Sequence, residues 1–361
     1  MKHRFTVLDI FRGIFASLVV FYHMSAFSDT PILNNSFIYN ADVFVDFFFV
    51  LSGFVVCYSY QSIETLSDLK LFVKKRLYRL YPLHIILLLI FLIVEGIKIG
   101  MQNHIQINNS LENTPATFFS SLLLLNSIKM PGINNLSWNM VSWSISAEVI
   151  SYLVFGITCL LLSKKYTKIK PFVYLIIALL SLLIIFTITG ATKLNYTFDY
   201  GFLRGLTGFF IGTVCFYTFN LIYSELSQIR KSVFTILEIF ILSLVLVAVV
   251  NGETLKSFGY IFEIIFFVAI LIFAFEKGFI SQILNKPTLL KNLGKYSYSI
   301  YMIHTLFISV FNVFFIRLLK LPNTAYSYLF LLNFLVVYLV ASFTYQHIEM
   351  RFNYNKKKLK S

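Results

Sequence analysis

Residues Phe5 to Phe27 read FTVLDIFRGIFASLVVFYHMSAF, an apolar run long enough to cross a bilayer as one helix. Arg12 and His23 stand on it, eleven residues apart. Eleven residues of α-helix rise about 16 Å and complete close to three turns, so both side chains lie on one face, separated along the helix axis. Ionisable groups at membrane depth are costly enough to be functional candidates by default. Taken singly, each has a plainer reading, in which Arg12 snorkels to the headgroups and His23 bonds to a neighbouring helix.

The rest of the chain has the same character. Its 361 residues are 58% hydrophobic, 18% aromatic and 13% charged, with a mean hydropathy of +0.78, which excludes a soluble globular domain. Spanning runs recur at Val7 to Phe27, Val43 to Tyr60, Leu77 to Ile97, Trp143 to Leu162, Phe172 to Thr189, Phe202 to Leu221, Val233 to Val250, Phe258 to Phe275, Tyr298 to Phe315 and Tyr328 to Tyr345. The expectation is an all-α, polytopic membrane protein of about ten transmembrane helices. Residues 1–361 read as one integral membrane domain without an appended soluble domain, in the cell membrane. The first run has no small-residue cleavage site and carries charges, so it is a helix and not a signal peptide.

Loop charge orients the helices. With the N-terminus inside, the cytoplasmic segments hold Lys2 and Arg4, Lys70 to Arg79, Lys164 to Lys170, Arg230 and Lys231, Lys277 to Lys295, and Arg351 to Lys360. These amount to 22 Lys and Arg, against six in the outer segments. Both termini are therefore expected in the cytoplasm. This asymmetry accounts for most of the +14 net charge, and nucleic acid need not be invoked; anionic lipid suits the KKKLK tail. Cys57, Cys159 and Cys215 fall inside spans without metal spacing and read as small core residues. No bound metal is expected.

Other polar residues gather in the spans. Asp46 lies about a turn into the second helix, at a height similar to His23, where it either orients the imidazole or faces the headgroups. Ser52-Gly53 at the middle of that helix permits close backbone approach. Arg76 and Arg79, at i and i+3 in KKRLYRLYPLH, share a face that matches phosphate in geometry and charge, or simply reports the cytoplasmic side. Pro82 marks the start of the third apolar run or a kink in it. The run FFSSLLLL, in the outer segment between Glu95 and Ser137, is too short to span and reads as a re-entrant or interfacial helix. Glu148 sits over a turn into the fourth helix, near the depth of His23 and Asp46, and either pairs with His23 or contacts a polar ligand. Glu349 beside Arg351 reads as a headgroup-level ion pair.

These fragments together resemble the acyltransferase-3 family, membrane O-acyltransferases of bacterial surface glycans. LDIFRGIFASLVVFYH is similar to that family's opening Arg-ten-residues-His helix, and VDFFFVLSGFVV to its second helix. KKRLYRLYPLH resembles its Arg-x-x-Arg-x-x-Pro segment, and WSISAEVISYLVFG its Trp-Ser-Leu-Ser-Val-Glu-Glu segment, with Val149 in place of the second glutamate. RGLTGFFIG from Arg204, YSYSIYMIHTLF with His304 and YQHIEMRF with Glu349 complete seven fragments in the family's order.

The resemblance implies an O-acyltransferase using acetyl-CoA, or another acyl-CoA, as co-substrate. The acceptor would be an extracytoplasmic carbohydrate, such as a surface polysaccharide or its lipid-linked precursor. Arg12, Arg76 and Arg79 would grip the donor's phosphates. His23 would be the base or a transient acyl carrier, with Glu148 or Asp46 orienting it. Arg204, Ser52 and His304 read as supporting residues that tie helices together. A transporter or flippase of a lipid-linked sugar is the competing class; against it stand the gathering of cations at one mouth and the lack of an inverted repeat.

Overall fold

A computed structural model describes residues 4–28, 30–100, 112–162, 166–352 and 354. Lys2, Lys164 and the KKKLK tail lie outside the described residues. The chain is helical, without a strand among the described residues: α1 (Thr6–Ser25), α2 (Ser36–Tyr39), α3 (Phe44–Ser59), α4 (Leu66–Gly100), α5 (Pro115–Leu122), α6 (Trp143–Leu161), α7 (Lys170–Thr189), α8 (Gly201–Leu226), α9 (Lys231–Val250), α10 (Gly252–Leu255), α11 (Tyr260–Phe273), α12 (Phe279–Leu284), α13 (Thr288–Phe311) and α14 (Tyr326–Thr344). Nine described helices are long and apolar enough to cross a membrane. The number is ten if Gly252–Phe258 and Tyr260–Phe273, bent by 99°, form one span.

That bend is one departure from the expected spans. The run Phe258 to Phe275 is straight only over the 14 residues of α11, about 21 Å, short of a bilayer's hydrocarbon thickness of about 30 Å. A second departure is α4, which begins at Leu66 and contains Pro82 in its interior. Its 35 residues rise about 52 Å, so the turns carrying Arg76 and Arg79 are helical and continuous with the apolar run. Pro82 lies inside that helix.

The short run in the long segment is α5, started by Pro115 and a capping box between Thr114 and Thr117. Asn113 just before it donates to Glu95 at 2.9 Å, whereas its last turn meets His84, whose Nε2 lies 2.8 Å from Ser121 O. Glu95 and His84 are about 16 Å apart along α4. The segment thus descends beside α4 and returns to α6, where Ser127 Oγ and Ser146 Oγ are 2.8 Å apart. This path, down beside α4 and back to α6, has the form of the re-entrant reading.

Two close crossings organise the bundle. α3 meets α8 where a Cβ on Gly53 would stand 1.8 Å from Phe209 O, and α1 meets α13 where a Cβ on Gly294 would stand 2.5 Å from Asp9 O. Small residues let helix backbones touch, as expected for Ser52-Gly53. Gly53→Ala should separate α3 from α8 and cost at least about 1–3 kcal/mol, read as a lower unfolding midpoint in detergent; an unchanged midpoint would show that the crossing yields. α3, then α1 and α8 equally, are the most enclosed spans, while α7 and α14 display apolar faces outward. Glu238 in α9, fully buried, accepts from the amides of Gly278, Ile280 and Ser281 at 2.9, 3.0 and 3.2 Å. It satisfies the free N–H groups that start α12.

Candidate active site

The face shared by Arg12 and His23 is turned to α13. Arg12 Nε donates to Ser297 Oγ at 2.8 Å and its Nη2 to Gly294 O at 3.2 Å, with Asp9 Oδ1 at 3.3 Å. About three turns further along, His23 Nδ1 lies 2.9 Å from Val19 O and 3.2 Å from His304 Nε2. A carbonyl only accepts, so the proton sits on His23 Nδ1. His304 Nδ1 likewise faces a carbonyl, Tyr301 O at 2.7 Å, which leaves its Nε2 as the acceptor for His23. The lone pair of His23 is thereby placed on Nε2, which has no hydrogen-bond partner among the described residues. His304 is fully buried and His23 only partly so. Asn139 steadies α13 here, donating to Met302 O and accepting from Thr305 Oγ1, both at 2.9 Å.

Neither carboxylate expected beside His23 is bonded to it. Asp46 forms a two-pronged ion pair with Arg204, at 2.6 and 2.8 Å, and Arg204 lies 5.3 Å from the Trp143 ring. Both partners are buried. The helix face carrying Asp46 looks toward α8, where a guanidinium meets the charge that burial would otherwise leave uncompensated. Glu148 accepts from Ser52 Oγ at 2.6 Å and from Tyr152 Oη, on the wall of a cavity. Matching depth, which is what the sequence supplied, fixes only one coordinate of three. The residue that does meet His23 is His304, whose sequence signal was its place in the apolar YSYSIYMIHTLF segment.

Two cavities that share Arg12, Val55, Arg76, Arg79 and Tyr298 in their walls lie between α1, α3, α4, α6 and α13. A vestibule of about 340 Å³ is lined by Arg4, Arg12, Lys75, Arg76, Arg79 and Lys295, against the carboxylates of Asp9 and Glu349. At Arg12, Arg76, Arg79 and Tyr298 it narrows into a chamber of about 100 Å³, lined by Ala16, Phe48, Ser52, Ser144, Glu148, Tyr152 and Tyr301. Tyr301 Oη, accepting from Ser144 Oγ at 2.9 Å, lies on the same helix as His304 and one turn before it.

Arg76 and Arg79 make no hydrogen bond or ion pair with another described residue, and Arg76 Nε is buried without a partner. Arg76 instead stacks over Tyr60 and Tyr152, 4.9 and 5.4 Å from the ring centres. Each guanidinium offers five N–H donors; Arg79 is exposed to the cavity and Arg76 partly buried with only its Nε shut off, so the neck presents two cationic forks that an anion could meet. Arg12, by contrast, is already held by α13 and Asp9. Glu349 departs from the expected ion pair with Arg351. It accepts from Ser299 Oγ on α13 at 2.5 Å, because the π-helical turn Tyr345–Glu349 carries it toward the vestibule. The three cysteines are buried and free, and no cluster among the described residues could hold a metal ion.

Fold and site define the class: a multi-pass membrane protein in which a cationic vestibule leads to a largely apolar chamber carrying Glu148, with the His23–His304 pair further along α1 and α13 and outside the chamber's lining. The acyltransferase-3 family model, an acyltransferase domain, matches residues 5–344, and the chain belongs to that family. It is a membrane acyltransferase. No curated protein and no solved structure matches the chain.

Proposed function

We propose that this protein moves an acyl group, acetyl by analogy with the family, from acyl-CoA at the cytoplasmic face to a hydroxyl of an extracytoplasmic carbohydrate. The observation that supports this best is the pair of guanidinium groups at the neck, Arg76 and Arg79, which make no hydrogen bond or ion pair with another described residue, together with the free Nε2 of His23 further along α1. A donor held at the neck by its phosphates would send its thioester up the chamber toward α1 and α13. His23 Nε2 takes the hydroxyl proton as the oxygen attacks the thioester carbonyl carbon. The C–S bond then breaks, the acyl group stays on the sugar oxygen, and the proton held by His23 passes to the departing thiolate, giving CoA. The narrow chamber keeps water from the thioester. His304 and Val19 O hold His23 in the tautomer this step needs.

Purified protein should transfer labelled acetyl from acetyl-CoA to glycan, and in sealed vesicles the donor should work only from the cytoplasmic side, with product outside. A thiol-free background carrying Ala26→Cys should be labelled by an impermeant reagent from outside, and one carrying Lys74→Cys from inside. Both positions are exposed. Donor and acceptor consumed on one side would end the trans-bilayer reading, and glycan movement without acyl transfer would favour a transporter. Arg79→Ala should weaken acetyl-CoA binding about 10- to 100-fold, with Arg79→Lys restoring part of it because the forked geometry is lost. Unchanged affinity by calorimetry would return Arg79 to a purely topological role.

A further inference from the structure

The vestibule is too wide and too polar to serve a thioester alone. On the reading that acyl-CoA is the donor, on which this inference rests, the cavities also fix where the nucleotide must go. Arg12 and His23 are about 16 Å apart along α1. A phosphopantetheine arm is as long as four or five extended residues, roughly 15 Å. With the thioester at His23, the diphosphate falls at the neck, beside the unpartnered Arg76 and Arg79. The adenosine and its 3′-phosphate then have one direction left, toward the vestibule mouth.

The lining changes character there. Forked guanidinium groups give way to ammonium groups around an aromatic ring: Lys74 Nζ and Lys75 Nζ lie 5.6 and 5.9 Å from the centre of the Tyr354 ring, which Tyr78 meets edge-on at 6.0 Å. Tyr354 and Lys75 line the vestibule itself. We propose that this mouth is a nucleotide subsite, in which adenine stacks on Tyr354 and the 3′-phosphate is held by Lys74 and Lys75. Stacking on an aromatic face is how proteins hold a base without reading its edges. Ammonium groups on flexible stems suit a terminal phosphate, as the rigid forks of Arg76 and Arg79 suit a diphosphate. Lysines that served only membrane topology would have no need of a ring between them, half-buried in a cavity wall.

The test is calorimetric, on the full chain in detergent, with CoA, 3′-dephospho-CoA and 4′-phosphopantetheine as ligands. The wild-type protein should bind them in that order of decreasing affinity. Tyr354→Ala should weaken CoA and 3′-dephospho-CoA roughly tenfold and leave 4′-phosphopantetheine unchanged, while Tyr354→Phe, which keeps the ring, should bind all three as the wild type does. Lys74→Ala with Lys75→Ala should erase the advantage of CoA over 3′-dephospho-CoA. Equal affinity of the wild type for all three ligands, or equal weakening of all three by Tyr354→Ala, overturns the subsite while the acyl-CoA reading stands. Binding of none of them by the wild type overturns the donor reading, and the subsite with it.

Discussion

His23→Ala is expected to abolish acyl transfer while the protein inserts, folds and binds acyl-CoA as before. General-base assistance contributes typically 10²- to 10⁴-fold to rate, and the other candidate bases are engaged or enclosed: His304 is fully buried with its Nε2 turned to His23, Asp46 is committed to Arg204 and Glu148 to Ser52 and Tyr152. The imidazole contributes little to packing that alanine would forfeit, because His23 is partly exposed and Arg12 is held to α13 independently. Three measurements separate chemistry from structure, namely transfer rate, donor affinity by calorimetry and the unfolding midpoint. Only the first should move. A variant with full activity sinks His23 as the base, and one that loses donor binding together with activity makes it a structural residue of the seam.

Arg204→Ala should be the most damaging single change to stability, costing about 3–5 kcal/mol, because it strands the buried Asp46 carboxylate. Asp46→Ala should cost a similar amount by stranding the guanidinium. Replacing both at once, Asp46→Leu with Arg204→Met, should recover most of the loss, since apolar side chains of similar volume often replace a buried ion pair at little cost. Unfolding midpoints and yield of monodisperse protein in detergent read this directly. If Asp46→Ala instead folds normally and only the transfer rate falls, the carboxylate belongs to the chemistry after all. The ion pair would then be a resting arrangement.

The class of protein, the number of spans to within one and the helix-1 face were all legible in the chain, because each depends on a one-dimensional regularity. Apolar length decides what can cross a bilayer. The eleven-residue interval from Arg12 to His23 decides which side chains share a helical face. The i, i+3 spacing of Arg76 and Arg79 decides that they share a helix face, and both line the same two cavities. The ordered fragments from LDIFRGIF to YQHIEMRF carried the family, which the match over residues 5–344 then established.

Which helix each face meets was decided by tertiary structure alone. Asp46, Glu148 and His23 have similar depths, yet Asp46 turns to α8 and Glu148 to the chamber, while His23 turns to α13 and His304. Azimuth and neighbour order depend on crossings such as Gly53 against Phe209 and Gly294 against Asp9, which join segments far apart in the chain. The same holds for the bend before α11, the descent of α5 beside α4 and the inward turn of Glu349. In each case periodicity gives the element, and contacts with distant helices give its direction. A sequence can set the height of a polar side chain in a membrane, but its partner is chosen by whichever distant helix satisfies its hydrogen bonds and charge at least cost.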